Sequence, residues 1–152
     1  NQKDDENLVK IKEILESFGW LGADEIGVKG NMALFLVIQH ADFETQKLYL
    51  PVIRDAVITG KAKAGNLALL EDRMALKEGR NQIYGSQIIR FEDIGSQVSP
   101  LYDPANVDQR RAAIGLGSLQ EYISNWNMKW DLDEYLKILP ELEERQKMRA
   151  YL

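Results

Sequence analysis

Gly30-Asn31-Met32-Ala33-Leu34-Phe35-Leu36-Val37-Ile38-Gln39-His40 is the stretch on which the fold class turns. From Met32 to Ile38 it is apolar without a break. Such a run reads either as a buried strand or as two turns of a helix that is apolar on every side. Met, Ala and Leu outnumber the β-branched residues in it, which favours the helix. The run is the longest of its kind in the chain and falls well short of the roughly 18 apolar residues a membrane-spanning helix needs.

Helical spacing continues on both sides of this stretch. Upstream, Leu8, Ile11, Ile14, Leu15 and Phe18 paint one apolar stripe on a helix ending near Gly19, and the stripe reads as core. Trp20 to Gly27 is Gly-rich and reads as irregular, with the next helix opening at Gly30-Asn31. Downstream, Asp42 can cap a helix over Phe43 to Ile58 that Gly60 stops. Pro51, in its middle, lacks a backbone donor and predicts a kink or a fresh start. Leu67, Leu70 and Met74 mark a further helix closing at Gly79.

The period then changes. Tyr84 to Phe91 is rich in aromatic and β-branched residues, Glu92-Asp93-Ile94-Gly95 supplies a turn, and Ser96 to Tyr102 follows, so a β-hairpin is expected. Asp103-Pro104 resembles an N-cap with Pro at the first helical position, launching a helix through Val107 to Ile114. Ser118 with Glu121 is a capping box for the next helix. Asp131 to Leu152 reads as helical, divided by Pro140. The expectation is a mainly α (α+β) fold, a compact multi-helix domain with one small β-hairpin near residues 84–102. Residues 1–7 read as a flexible polar lead-in and residues 8–152 as a single globular domain.

Composition narrows the chemistry. The chain has 152 residues, 45% hydrophobic and 28% charged, enough for one domain with a sizeable core. It has no cysteine, which excludes a disulfide framework, a thiolate zinc site, a cysteine nucleophile and an iron–sulfur cluster. One histidine, His40, forbids a two-histidine metal site within one chain. A net charge of −5 speaks against nonspecific nucleic-acid binding. The start, Asn1-Gln2-Lys3-Asp4-Asp5-Glu6-Asn7, carries no initiator Met. Removal of an export or lipoprotein signal would produce it, giving a periplasmic or lipid-anchored protein, and an artificially trimmed cytoplasmic chain fits equally well.

Polar residues interrupt the apolar pattern at separated places. His40 follows Leu36 and Val37 by one turn, so its imidazole is expected on the buried side of its helix. With Asp42, or with Asp72, it could form a tuned acid or base, and Gln46 lies one turn beyond Asp42. Asp72 shares a helix face with Ala68, Ala75 and Leu76, and a buried carboxylate there needs a partner such as Arg80, Arg110 or Arg111. In a strand, Gln82, Tyr84 and Ser86 would share one face and Gln87 the other with Ile83. Arg110 and Arg111 stand in succession on a helix, and a bidentate guanidinium suits a carboxylate or phosphate. Each feature has a plainer reading as a satisfied core histidine, a structural ion pair, an exposed strand face or a solvated arginine. Trp126 and Trp130 read as staples for the last helices, with a stacking platform as the alternative. No phosphate-binding loop, dinucleotide fingerprint, nucleophile elbow, zincin helix or EF-hand loop occurs, and no cofactor or metal is implied.

Gln39-His40-Ala41-Asp42, Leu50-Pro51, Asp72-Arg73, Gly79 with Gln82, Tyr84-Gly85-Ser86-Gln87, Asp108 with Arg110-Arg111, and Gly115-Leu116 follow one another over roughly residues 30–122. In that order and spacing they resemble a bacterial family catalogued as domain of unknown function 6624. The resemblance implies a common fold and a shared polar site, and brings no activity, substrate or catalytic residue. Ser86 stands where the family pattern has threonine, which keeps the hydroxyl.

Two functional readings follow. In the first, His40, Asp42 and Asp72 do acid–base work, hydrolysis being the most economical reaction. Gln46, Gln82, Tyr84, Gln87 and Arg110 then line a pocket for a small molecule or peptide. In the second, the same residues form a buried hydrogen-bond network in a noncatalytic helical module that binds a protein partner or another copy. A divalent-metal site on His40, Asp42 and Asp72 is a third alternative. An open cavity lined by these side chains favours the first reading and a closed, mutually satisfied network the second.

Overall fold

The computed structural model describes residues 2–150. Its contacts gather into two compact units that divide between Leu70 and Glu71. The first holds α1 (Gln2–Phe18), α2 (Ala23–His40), α3 (Phe43–Ile58) and the start of α4 (Ala64–Lys77). The second holds the end of α4, β1 (Ile88–Phe91), β2 (Gly95–Val98), α5 (Val107–Ala113), α6 (Leu119–Ile123) and α7 (Leu132–Ala150). Among the described residues the protein is therefore mainly α with one small antiparallel hairpin. Residues 2–7, read as a polar lead-in, form the first turns of α1. Asn1, Tyr151 and Leu152 lie outside the described residues. No described helix is long and apolar enough to cross a membrane.

In the first unit the apolar run is helical, with Leu34, Phe35 and Ile38 buried. The helix starts earlier than its pattern suggests. Residues 23–29 belong to α2, and Gly27, at φ 77° and ψ 163°, breaks its path from within. A side chain would strain that backbone, so the glycine marks a kink where the sequence suggested a loop. Asn31 is buried and donates from Nδ2 to the carbonyls of Leu21 (2.8 Å) and Lys61 (2.7 Å), tying together the segments that follow α1 and α3. On α1 the expected core stripe reduces to Leu15. Phe18 is 71% exposed because it is the last helical residue and the chain turns away at Gly19.

Neither internal proline divides its helix. α3 runs unbroken past Pro51 and α7 past Pro140. Around Pro51 the buried Tyr49, Ile53 and Ala56 hold α3 in place, and packing of this kind can outweigh one missing hydrogen bond.

In the second unit the hairpin pairs Ile88 with Val98 and Phe91 with Gly95. It is narrower than the 84–102 span because residues 83–87 leave the ladder, and Gln82 keeps a lone parallel bridge to Leu101. Val98, Leu101, Val107, Leu119, Ile123, Tyr135 and Leu142 form the apolar core. Tyr135 donates its hydroxyl to Ser99 O (3.0 Å), and burial pushes its phenol well above the usual range. Asp103 makes no capping bond to backbone. It sits at φ 40°, accepts from Asn106 Nδ2 (2.9 Å), and precedes a single 3-10 turn, Pro104–Asn106, before α5. The Ser118–Glu121 capping box is present in both directions.

Candidate functional site

Asp72 lies on the apolar face of α4, between the buried Ala68 and Ala75, and is itself wholly buried. Its hydrogen-bond partners are backbone groups rather than arginines, and Arg111 feels its charge without bonding to it. Oδ1 accepts the backbone N–H of Ile83 (2.7 Å) and of Tyr84 (2.9 Å), and Oδ2 that of Ser86 (2.8 Å). Charge-assisted bonds of this length compensate a buried carboxylate for its lost water. No ladder partner is available to these N–H groups because the chain here is a loop, and the carboxylate takes that role.

The loop's other polar groups are held in the same way. Gln82, also wholly buried, accepts Gln87 N–H at Oε1 (2.8 Å) and donates from Nε2 to Gln87 O (3.1 Å) and Ser99 O (2.8 Å). Its side-chain amide thus stands in for a paired strand. Arg110 donates from Nε to Ile83 O (3.0 Å), from Nη1 to Asp103 O (3.0 Å) and from Nη2 to Tyr102 O (2.5 Å). Arg111 donates from Nη1 to Tyr84 O and from Nε to Gly117 O, both at 2.7 Å, while its guanidinium lies 5.1 Å from the centre of the Tyr122 ring. Tyr122 Oη donates to Ser86 O (2.8 Å). Burial pulls the Arg111 guanidinium below its ordinary value and pushes the Tyr122 phenol above its own. Neither shift changes the charge either group carries near neutral pH.

Within this unit Asp72, Gln82, Tyr84, Gln87 and Arg110 are brought to one loop. Their geometry differs from the expected strand face, because carboxylate, amide and guanidinium groups point at backbone. Arg111, weighed with Arg110 as a partner for Asp72, joins the set through peptide carbonyls, and Tyr122 was missed. Tyr122 shows no signal in the sequence pattern. Replacing Arg111 by Lys keeps the charge and loses the two-armed geometry. It should cost about 2 kcal/mol, and thermal melting of the variant checks it.

In the first unit, Asp42 caps α3. Oδ1 accepts Thr45 N–H and Oδ2 accepts the Thr45 hydroxyl, each at 2.9 Å, and these bonds hold its carboxyl below the usual range. Gln46 is buried and donates from Nε2 to Gln39 O (2.6 Å), bracing the α2–α3 corner. His40 does not emerge on the buried side. It is exposed, because the last turn of α2 buries Ile38 and Gln39 and turns residue 40 outward. With Asp4, Asp5, Leu8, Leu36 and Asp42 it lines an open cleft of about 620 Å³.

Among the described residues no group of His, Asp and Glu is placed to hold a metal, and every buried side-chain nitrogen and oxygen has a partner. Trp130 packs on Tyr135 at 4.9 Å between ring centres, as a staple for α7 would. Trp126 packs on Tyr122 at 5.1 Å but stays 43% exposed.

No curated protein and no solved structure matches the chain. Its motifs from Gln39 to Leu116 lie within a match to the Family of unknown function (DUF6624) that spans residues 2–134, and the chain belongs to that family.

Proposed function

We propose that the protein is a noncatalytic interaction module in which Asp72, Gln82, Arg110 and Arg111 are architecture. The carrying observation is that both oxygens of Asp72 face backbone N–H groups of its own chain. A general base needs a lone pair directed at a substrate proton, and this carboxylate directs its bonds inward. The loop it holds, Ile83 to Gln87, is fixed and half-buried, and fixed loops are efficient binders because little entropy is lost when they engage a partner. A melting screen of the intact chain against metal ions and common metabolites tests this reading. The expected result is an unchanged midpoint, since a small ligand that bound the native state would raise it by mass action.

The cleft beside His40 favours a second reading, a site for a small cationic molecule. Its volume of about 620 Å³ suits a small ligand, and Asp4, Asp5 and Asp42 supply the negative charge. An amine that raises the midpoint in the wild type and loses that effect in His40→Ala would establish it over the first.

A further inference from the structure

We propose that the end of α7, from Glu143 to its last turn, is an electrostatic strap over the β-hairpin, and that strap and hairpin open together when the charges on Arg145 are screened or removed. Among the described residues Leu142 is the last buried one of the helix, and Met148, further on, is 70% exposed. Beyond Leu142 the helix reaches the rest of its unit through polar and aromatic contacts.

Arg145 carries most of them. Its Nη1 and Nη2 meet the two carboxylate oxygens of Asp93 at 3.0 and 2.5 Å, and Nε meets Glu141 Oε1 at 2.8 Å. Its guanidinium also lies 4.9 Å from the centre of the Phe91 ring, with that of Arg149 at 5.7 Å. A second tie joins Asn81 Nδ2 to Glu143 Oε1 at 2.7 Å.

Asp93 is at the tip of the hairpin and Phe91 is the last residue of β1, so Arg145 grips both the turn and the strand that enters it. A two-stranded hairpin is marginal by itself and takes stability from what covers it. Among the described residues beyond Leu142, no apolar side chain of the helix is buried. Val98, with Ile88, Phe91 and Ile94 packed beside it, roots the hairpin in the apolar core, while Arg145, seconded by Arg149 over the Phe91 ring, ties its turn end to the helix. An exposed charged clasp responds to salt, whereas the apolar core of α5, α6 and the first turns of α7 does not.

Hydrogen exchange on the intact chain, read by NMR or mass spectrometry, tests the strap. In Arg145→Met, in Asp93→Asn, and in the wild type at about 1 M salt, where charges are screened within about 3 Å, amides 143–150 and 88–91 should exchange faster together, by roughly five-fold. Amides of α5 and α6 should be unchanged. Lys137→Met, which removes the exposed pair with Glu134 on the same helix, should leave both segments unchanged. Faster exchange of the helix end without the hairpin is simple fraying and overturns the proposal. So does an unchanged rate in both segments.

Discussion

Asp72→Ala should lower the melting midpoint by about 12 °C. The substitution leaves the N–H groups of Ile83, Tyr84 and Ser86 without the carboxylate that now accepts from all of them. Each buried donor stripped of its acceptor costs about 1–3 kcal/mol. The losses overlap because the loop can relax once released, so about 4 kcal/mol in total is expected, at about 3 °C per kcal/mol for a chain of this size. Asp72→Asn separates charge from shape. An amide keeping its oxygen toward Ile83 and Tyr84 aims its NH2 at the N–H of Ser86, donor against donor, so it should recover less than half of the loss. Thermal melting gives the totals, and hydrogen exchange at residues 83, 84 and 86 locates them. An Asp72→Ala protein that melts with the wild type would remove the basis for treating the carboxylate as architecture.

Gly85→Ala is expected to cost about 3 kcal/mol by two separable routes. The residue sits at φ 72°, where a side chain strains the backbone by about 1 kcal/mol. A Cβ built there would also lie 2.8 Å from Leu119 Cδ1, and Leu119 is wholly buried with no room to retreat. Overpacking of that kind adds about 1–3 kcal/mol. Leu119→Val removes the offending methyl, so the double variant should be more stable than the sum of the two single losses predicts. Strict additivity in denaturant melts would show that the collision contributes nothing and that backbone strain is the whole cost.

The helices were legible because their signals are local. Asp42 with Thr45, and Ser118 with Glu121, are capping patterns a few residues long, and both are present as expected. The start of α2 was not legible, because Gly27 looks the same in a list of residues whether it ends an element or kinks one. A fresh start at Pro51 and a division at Pro140 misled in the opposite direction. A local penalty was visible, and the burial that offsets it around Pro51 depends on distant parts of the chain. The polar residues stood out as exceptions to the apolar pattern. What they bind was hidden, because Asp72, Arg110 and Arg111 bind peptide groups, and a peptide group carries no sequence signature. His40 was misplaced because an apolar run says which helix is central without giving the facing of its final residue.

The loop from Ile83 to Gln87 is shaped by residues that lie mostly outside it, on α4, α5 and α6. Gly85 and the backbone that the loop offers to Asp72, Gln82, Arg110, Arg111 and Tyr122 set much of its path. Shape and identity are thus written in different places in the chain. A change at Asp72, Arg110 or Arg111 therefore reshapes the loop from 11 to 27 residues away in the sequence.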